Sequence, residues 1–456
     1  MPKRDRVSYS CKECGAKYSK WFGRCTRCQA WDSIEEIVAA TATRPGTQNL
    51  KNIKSVTPIL LSDVDINTNE IRLKSGIQEL DRVLGGGLVA GSLSLIGGDP
   101  GVGKSTLLLM ALSKFAERGL TTFYVSGEES ARQIRLRAER LEVNTTGLHL
   151  LAETDLDASL AAAESLKPKV IVLDSVQTLF SLAVDSVPGS MSQVREVANR
   201  SMQFAKRTGI PTFLVGHVTK QGAIAGPKVL EHLVDTVIYF EGEGTTQLRA
   251  LRAVKNRFGS TGELGFFEMV EKGLIEVPDA SARLLSERVQ GATGTTVMAA
   301  MEGSRPVLAE VQALVGHPTP ATPSRTVLGM DRARMQMLIA VLQKSGFKLH
   351  DRDVYISAAG GLRVTEPAAD LAIAAAIASS IREIPIPHRT LLFGEIGLVG
   401  EIRAVSHPAQ RLHEAQRHGF TRVIVPKSAK VHAPDGLEVV AVRTLKQALG
   451  QLFSGE

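Results

Sequence analysis

The sequence predicts an α/β fold: a core built on a parallel sheet, with a small four-cysteine module before it and an α+β domain after it. Three observations carry this. The pattern GGDPGVGKS lies between an apolar strand, SLSLIGG, and a long apolar helix. All four cysteines of the chain fall within residues 11–28. Aromatic residues make up only 5% while glycines number 41, a balance that favours tight strand-to-helix turns over an aromatic-rich sandwich.

A chain of 456 residues exceeds what one hydrophobic core usually organises, so two or three domains are expected. Apolar content of 43% with 22% charge fits a globular protein. The net charge of +7 is compatible with a polyanionic partner and equally with a solvated basic surface. The N-terminal MPKRDRVSYS has no apolar core of the signal-peptide kind, and no long uncharged apolar run follows, so a cytoplasmic protein without membrane contact is expected.

Cys11, Cys14, Cys25 and Cys28 form two C-x2-C knuckles separated by ten residues. That spacing brings four thiolates around one tetrahedral ion, and Zn²⁺ is the expected metal; two disulfides fit a reducing compartment poorly. A site closed by four cysteines leaves no open position, so its role is structural. Residues 1–36 are assigned to this zinc finger and residues 37–72, which lack a sustained period, to a linker.

From residue 73 the pattern changes to alternating buried strands and helices, and a core domain is expected over 73–275. Gly98, Gly103, Lys104 and Ser105 satisfy G-x-x-x-x-G-K-[ST] between a strand and a helix. The loop residues Gly98, Asp99, Pro100, Gly101, Val102 and Gly103, with Lys104, Ser105 and Thr106, are the expected cradle for ATP and Mg²⁺. Backbone N–H groups surround the phosphates, Lys104 reaches the β/γ oxygens, and Ser105 holds the cation.

The next strands end in polar groups. TTFYVSGEES ends in Glu128 and Glu129, either of which suits the orientation of an attacking water, although Glu129 equally suits a helix cap. KVIVLDS ends in Asp174, a natural Mg²⁺ partner, and PTFLVGH ends in His217, placed to sense the γ-phosphate or to serve structure. All three strand ends are expected at the carboxyl edge of a parallel sheet.

This block resembles the RecA-type ATPases, which include the DnaB helicases and the KaiC clock ATPases. KNRFG at 255–259, together with the four-cysteine finger, narrows the resemblance to the bacterial RadA (Sms) family of DNA repair proteins. The resemblance implies Glu128 as the catalytic carboxylate. It also implies ring assembly, a homo-hexamer, with each nucleotide at a subunit boundary, so that Lys255 and Arg257 act on the neighbour's γ-phosphate. Lys220 and Lys228, in TKQGAIAGPKVLEH, and the stretch 181–196 are the implied loops for single-stranded DNA. The implied activity is a DNA-dependent ATPase and helicase-like motor, working with RecA in branch migration of recombination intermediates. A KaiC-like regulatory ATPase that ignores DNA is the competing expectation.

Residues 285–456 are expected to form a separate domain. TGTTVMAAMEGSRPVLAEVQALV reads as two strands, and GGLRVTEPAADLAIAAAIASSI as a glycine loop entering a helix, with Thr365 as cap and Glu366 and Asp370 near its positive end. LLFGEIGLVGEIRAV reads as a hairpin. The domain is similar to the proteolytic domain of Lon, but Ala368 stands in the serine slot and Ala409 in the lysine slot. Alanine supplies neither a nucleophile nor a titratable amine, so no peptidase activity is expected.

Overall fold

A computed structural model of the protein describes residues 8–11, 17–18, 23–26, 28, 34–37, 60, 72–217, 230–242, 248–318, 323–359, 364 and 366–453. The chain divides into two compact units, residues 1–67 and 68–456. In the first, β1 (Ser8–Cys11) pairs antiparallel with both β2 (Lys17–Tyr18) and β3 (Ile34–Ile37), with Cys11 opposite Ile34.

The second unit opens with α1 (Gln78–Val83) and then alternates β4 (Leu93–Gly98), α2 (Lys104–Glu117), β5 (Thr122–Ser126), α3 (Ala131–Arg140), β6 (Leu148–Ala152), α4 (Leu156–Leu166), β7 (Val170–Asp174), α5 (Met191–Thr208) and β8 (Thr212–His217). The strands β9 (Thr236–Glu241), β10 (Leu248–Asn256), β11 (Leu264–Val270) and β12 (Gly273–Glu276) complete a nine-stranded sheet, ordered β12-β11-β10-β9-β4-β8-β7-β5-β6. The six strands from β9 to β6 in that order are parallel, and β10 to β12 turn back as an antiparallel meander.

Burial explains why β4 and β7 read as largely apolar runs rather than alternating ones. Every residue of both is buried, because helices cover the two faces of a parallel sheet. Ile96 faces a core shared with Leu108, Leu112 and Phe115 of α2 and Ile134 of α3, while Leu93 and Leu95 face Leu160 of α4 and Val197 and Phe204 of α5. Register then sets the site: Gly98 lies beside His217, and Ser126 beside Asp174. The helix after β5 is capped by Ser130, whose side chain and that of Gln133 form a reciprocal capping box, so Glu129 is not the cap.

The helix α6 (Ala280–Leu285) leads into a seven-stranded sheet ordered β15-β16-β14-β13-β17-β20-β21. Its strands are β13 (Thr295–Glu302), β14 (Arg305–Gly316), β15 (Arg325–Leu328), β16 (Asp353–Ala358), β17 (Thr390–Leu392), β20 (Arg422–Pro426) and β21 (Glu438–Val442), and the small pair β18 (Glu395–Ile396) and β19 (Ile402–Arg403) stands apart. The helices are α7 (Arg332–Lys344), α8 (Asp370–Arg382), α9 (Pro408–Arg417) and α10 (Leu445–Phe453).

Two expectations here need correction. The two leucines of LLFGEIG belong to β17, which runs parallel to β13 and β20 inside the main sheet, and only Glu395–Ile396 and Ile402–Arg403 form the hairpin. The buried apolar side chains of Leu391 and Leu392 draw that segment into the core. Second, α8 starts at Asp370 after a single 3-10 turn, with no side-chain cap, and Thr365 lies outside the described residues. Glu366 instead meets the fully buried Arg411 at 2.7 Å through both oxygens; Asp370 does lie in the first turn of α8, as expected, where it pairs with Arg334 and accepts from the backbone N–H of Ile396. These carboxylates tie separate elements together because buried charges require partners.

The two halves of the second unit share core. Leu264 and Phe266 of β11 pack in one cluster with Ala280, Leu284, Met298 and Val307. Buried Glu79 of α1 meets Arg305 at 3.2 Å, and Arg252 of β10 donates to Glu302 of β13 at 2.8 Å.

Candidate functional site

The phosphate loop requires glycine where it bends most. Gly98 has φ of +153°, and a Cβ there would lie 2.5 Å from the carbonyl oxygen of Phe240. Gly103, with φ of +113°, is the N-cap of α2, and a Cβ on it would lie 2.8 Å from Met269. No side chain other than hydrogen fits either place without displacing neighbours. The loop therefore leaves the first N–H groups of α2 to face an anion.

Lys104 is 4% exposed, and its Nζ donates to the carbonyls of Gly98 at 2.8 Å and Asp99 at 3.0 Å. Burial pulls its pKa below the ordinary lysine value, opposed by the carboxylates of Asp174, Glu128 and Asp99. Ser105 Oγ donates to Asp174 Oδ2 at 2.6 Å, and the phenol of Tyr124 donates to the same oxygen. Asp174 Oδ1 is buried and has no hydrogen-bond partner among the described residues. A buried, bare carboxylate oxygen beside a P-loop serine suits a hard cation with oxygen ligands, so the residues fit Mg²⁺.

Glu128 and Glu129 part company in space. Glu128 Oε1 accepts from Ser175 Oγ at 2.5 Å and from His217 Nε2 at 3.0 Å, whereas Glu129 pairs with Arg137 of α3. The hydrogen bond from His217 is the main reason that the Glu128 pKa is held below the usual glutamate value; Ser175 and Lys104 add to it against the cost of burial. Since Glu128 is held as a carboxylate, Nε2 of His217 carries the proton of this bond, and its Nδ1 is buried without a partner among the described residues. Ligand atoms of Glu128, Asp174 and His217 lie within 4.8 Å of one another. Gln177 grips the backbone of His217 on both sides, donating to its carbonyl at 3.1 Å and accepting from its N–H at 3.3 Å.

Tyr124, Ser175 and Gln177 were missed in the sequence. Ser175 follows Asp174 directly and Gln177 comes two places later, and polar residues just past a strand end were the available signal. Tyr124 gave none, since an aromatic inside an apolar strand reads as core.

KNRFG closes β10 as a built turn. Asn256 Oδ1 accepts from the N–H of Phe258 at 2.9 Å, and its amide donates to the carbonyl of Val83 at 3.4 Å. Gly259 packs on Gly85, where a Cβ would approach the Gly85 Cα to 3.0 Å. Asn256 and Gly259 thus shape the turn, while Lys255 and Arg257 are its cations. Lys255 Nζ donates to the carbonyls of Glu231 at 2.6 Å and Val234 at 2.8 Å, and Arg257 meets Asp235 at 3.2 Å with its side chain 55% exposed. Within one chain neither cation touches the P-loop group just described.

Of the implied DNA loops, Lys220 and Lys228 lie outside the described residues. The other, 181–196, is a loop only as far as residue 190, since 191–196 already belong to α5; the loop part is held by Gln193, whose amide donates to the carbonyls of Ser181, Val184 and Ser186. Leu182 and Val187 project from it into solvent.

In the first unit Cys25 is buried, and its Sγ accepts from the backbone N–H of Cys28 at 3.5 Å, a bond that stabilises a thiolate. Cys11 ends β1, and Cys14 lies outside the described residues. A sulfur already receiving N–H density fits a soft-ligand metal site such as zinc. In the C-terminal part, Ala368 is buried in the 3-10 turn and Ala409 is exposed on the first turn of α9.

Residues 9–36 match the family described as rubredoxin metal binding domain, residues 58–223 the AAA domain, and residues 323–429 the subunit ChlI of Mg-chelatase. The chain is 48% identical over 460 residues to the DNA repair protein RadA of Pseudomonas aeruginosa, spanning 99% of this chain and 100% of that one. It is 49% identical over 454 residues to that of Streptococcus pyogenes serotype M1, with the same coverage, and 45% identical over 460 residues to that of Bacillus subtilis. Among solved structures, a KaiC-like protein from Pyrococcus horikoshii superposes with a TM-score of 0.39, and a RadB recombinase with 0.36. Each is 22% identical and covers 45% of this chain and 99% of its own.

Proposed function

The chain belongs to the RadA family of DNA repair proteins, and from that premise we propose that it is a DNA-dependent ATPase and helicase-like motor of homologous recombination. It works as a cytoplasmic homo-hexamer on single-stranded DNA, and promotes branch migration of recombination intermediates alongside RecA. The observation that carries the reading is the convergence of Lys104, Asp174, Glu128 and His217 at the carboxyl ends of adjacent parallel strands.

The residues divide the chemistry as follows. Loop N–H groups and Lys104 bind the phosphates, and Lys104 leaves its two carbonyl partners to do so. Ser105 and Asp174 would hold Mg²⁺, which would neutralise charge on the bound phosphates. Glu128 accepts a hydrogen bond from the attacking water and orients it in line with the γ-phosphorus. His217, bonded to Glu128, registers the γ-phosphate and sits immediately before the segment carrying Lys220 and Lys228. Lys255 and Arg257 act on the nucleotide of the adjacent subunit, where a cation supplied in trans is worth on the order of 10³ to 10⁵ in rate. The four cysteines hold a structural Zn²⁺. The Lon-like domain, with Ala368 and Ala409 in the dyad slots, serves assembly and not peptide hydrolysis.

Steady-state ATP hydrolysis with and without single-stranded DNA, at two salt concentrations and with Lys104→Ala as the blank, tests this. Salt-sensitive stimulation is expected, because backbone phosphate contacts release counterions. An assembled, ATP-binding protein that ignores DNA would instead be a KaiC-like switch acting on protein partners.

A further inference from the structure

We infer that Asp235 is the positioning residue for Arg257: a buried carboxylate that fixes the guanidinium which the subunit presents to its neighbour's nucleotide. The inference rests on the reading of Arg257 as a trans-acting cation.

Asp235 is 1% exposed and lies in the short segment between Leu230 and β9. Its two oxygens have separate tasks. Oδ2 accepts from the backbone N–H of Leu93 at 3.1 Å and from Lys206 Nζ at 3.1 Å, while Oδ1 faces Arg257 NH1 at 3.2 Å. The backbone repeats the link: Arg257 N–H donates to the Asp235 carbonyl at 3.2 Å, and Asp235 N–H to the Leu93 carbonyl at 3.0 Å. Starting a strand beside Leu93 needs only an acceptor, which asparagine or serine supplies. A full charge this deeply buried is retained where cations answer it. Here they are Lys206, whose Nζ also lies 6.0 Å from the centre of the Phe258 ring, and Arg257 itself.

The geometry leaves Arg257 able to work. Its planar fork spends one N–H on Asp235 and keeps others for phosphate oxygens, and its side chain stays 55% exposed. Lys255 hangs from the same segment, through the carbonyls of Glu231 and Val234, which orient its ammonium without neutralising it. Leu93 begins β4, the strand that ends in the phosphate loop. Asp235 thus ties the cation offered outward to the strand that holds the chain's own nucleotide.

The test is a mixed-oligomer experiment on the full chain. Asp235→Asn keeps an acceptor for Leu93 and removes the charge. It is expected to lower kcat by about tenfold or more while the KM for ATP stays within about twofold, because its own P-loop is intact. Co-expressed with Lys104→Ala under two affinity tags and purified through both, it should recover turnover well above the sum of the separate variants. The Lys104→Ala subunits supply a correctly held Arg257 to intact P-loops. In an Arg257→Ala background, Asp235→Asn should cause no further loss.

Wild-type turnover in Asp235→Asn, or additive loss in the double variant, overturns the inference. A parallel mixture of Arg257→Ala with Lys104→Ala separates the two levels. If that mixture recovers and the Asp235→Asn mixture does not, the inference on Asp235 fails alone; if neither recovers, the trans reading itself fails. Should Asp235→Asn not assemble, Arg257→Lys reads the same pair from an exposed position. Its single nitrogen cannot both hold Asp235 and reach phosphate, so a loss as deep as that of Arg257→Ala is expected, and full activity would refute the inference.

Discussion

Tyr124 donates its phenolic hydrogen to Asp174 Oδ2, the same oxygen that receives Ser105, and leaves the buried Oδ1 without a partner among the described residues. Burial, reinforced by Asp174, raises the phenol pKa well above its ordinary value, so Tyr124 remains a donor at any working pH. Two donors on one oxygen hold the carboxylate in a single rotation, with the other oxygen turned toward the cation position. Tyr124→Phe keeps the ring and removes that restraint. We expect the Mg²⁺ concentration for half-maximal ATP turnover to rise by about 10-fold, in the range seen when a supporting hydrogen bond behind a metal ligand is lost. Stability should fall by only about 1 kcal/mol. A magnesium titration of turnover, with thermal unfolding alongside, measures both.

The two adjacent glutamates should separate cleanly. Glu128→Gln is expected to lower kcat by roughly 10²- to 10⁴-fold with ATP binding retained, the usual span for a positioned base. Glu129→Gln removes a partly exposed pair with Arg137 and should cost about 0–1 kcal/mol of stability with turnover near that of the unmodified protein. Equal losses in the two variants would reassign the base.

The same contacts set a pH dependence. Because the folded-state pKa of Glu128 is depressed, its carboxylate form persists to pH values below the ordinary glutamate value of 4.5. The stabilisation from its bonds to His217 and Ser175 is complete above that value and is lost as pH falls through the depressed one. His217→Ala removes the largest cause, so the acid limb of kcat should move upward in pH, toward the ordinary range. The position of the limb is the readout, independent of the height of the profile.

The Glu79–Arg305 pair joins α1 to β14 with Glu79 at 1% exposure. Arg305→Ala leaves that carboxylate without its cross-domain cation, although Phe266 N–H still donates to it. A loss of about 3 kcal/mol is expected, and chemical denaturation followed by probes in both halves of residues 68–456 should report it in each.

Cys25→Ser should abolish stoichiometric zinc, measured by elemental analysis, and leave the melting of a protein truncated to residues 68–456 as the reference for the second unit. The unfolding transition of that unit in the full-length variant is expected to match the reference, since residues 1–67 form their own compact unit.

Much of the nucleotide site is legible in the sequence because its parts are local. The P-loop needs glycines at fixed offsets before a helix, Asp174 and His217 each terminate an apolar strand and Glu128 follows one by two residues, so the alternation of strand and helix brings them to one edge. Residues whose role depends on a distant partner are not legible in this way. Gln177 reads as an ordinary loop amide until the register of β7 against β8 sets it on His217, and Arg411 reads as a solvated helix cation until α9 packs it on Glu366.

The sequence by itself determined the α/β class, the phosphate loop and the cysteine pattern, since each depends on residue type and short spacing. Tertiary structure alone decided that Glu128 rather than Glu129 turns toward His217, that Glu366 serves a buried arginine and not a helix end, and that Arg257 is anchored by Asp235. Neighbours in sequence point to opposite sides of a strand end. Which of them finds a partner is set by strand order and burial, where the cost of an unpaired charge selects one arrangement.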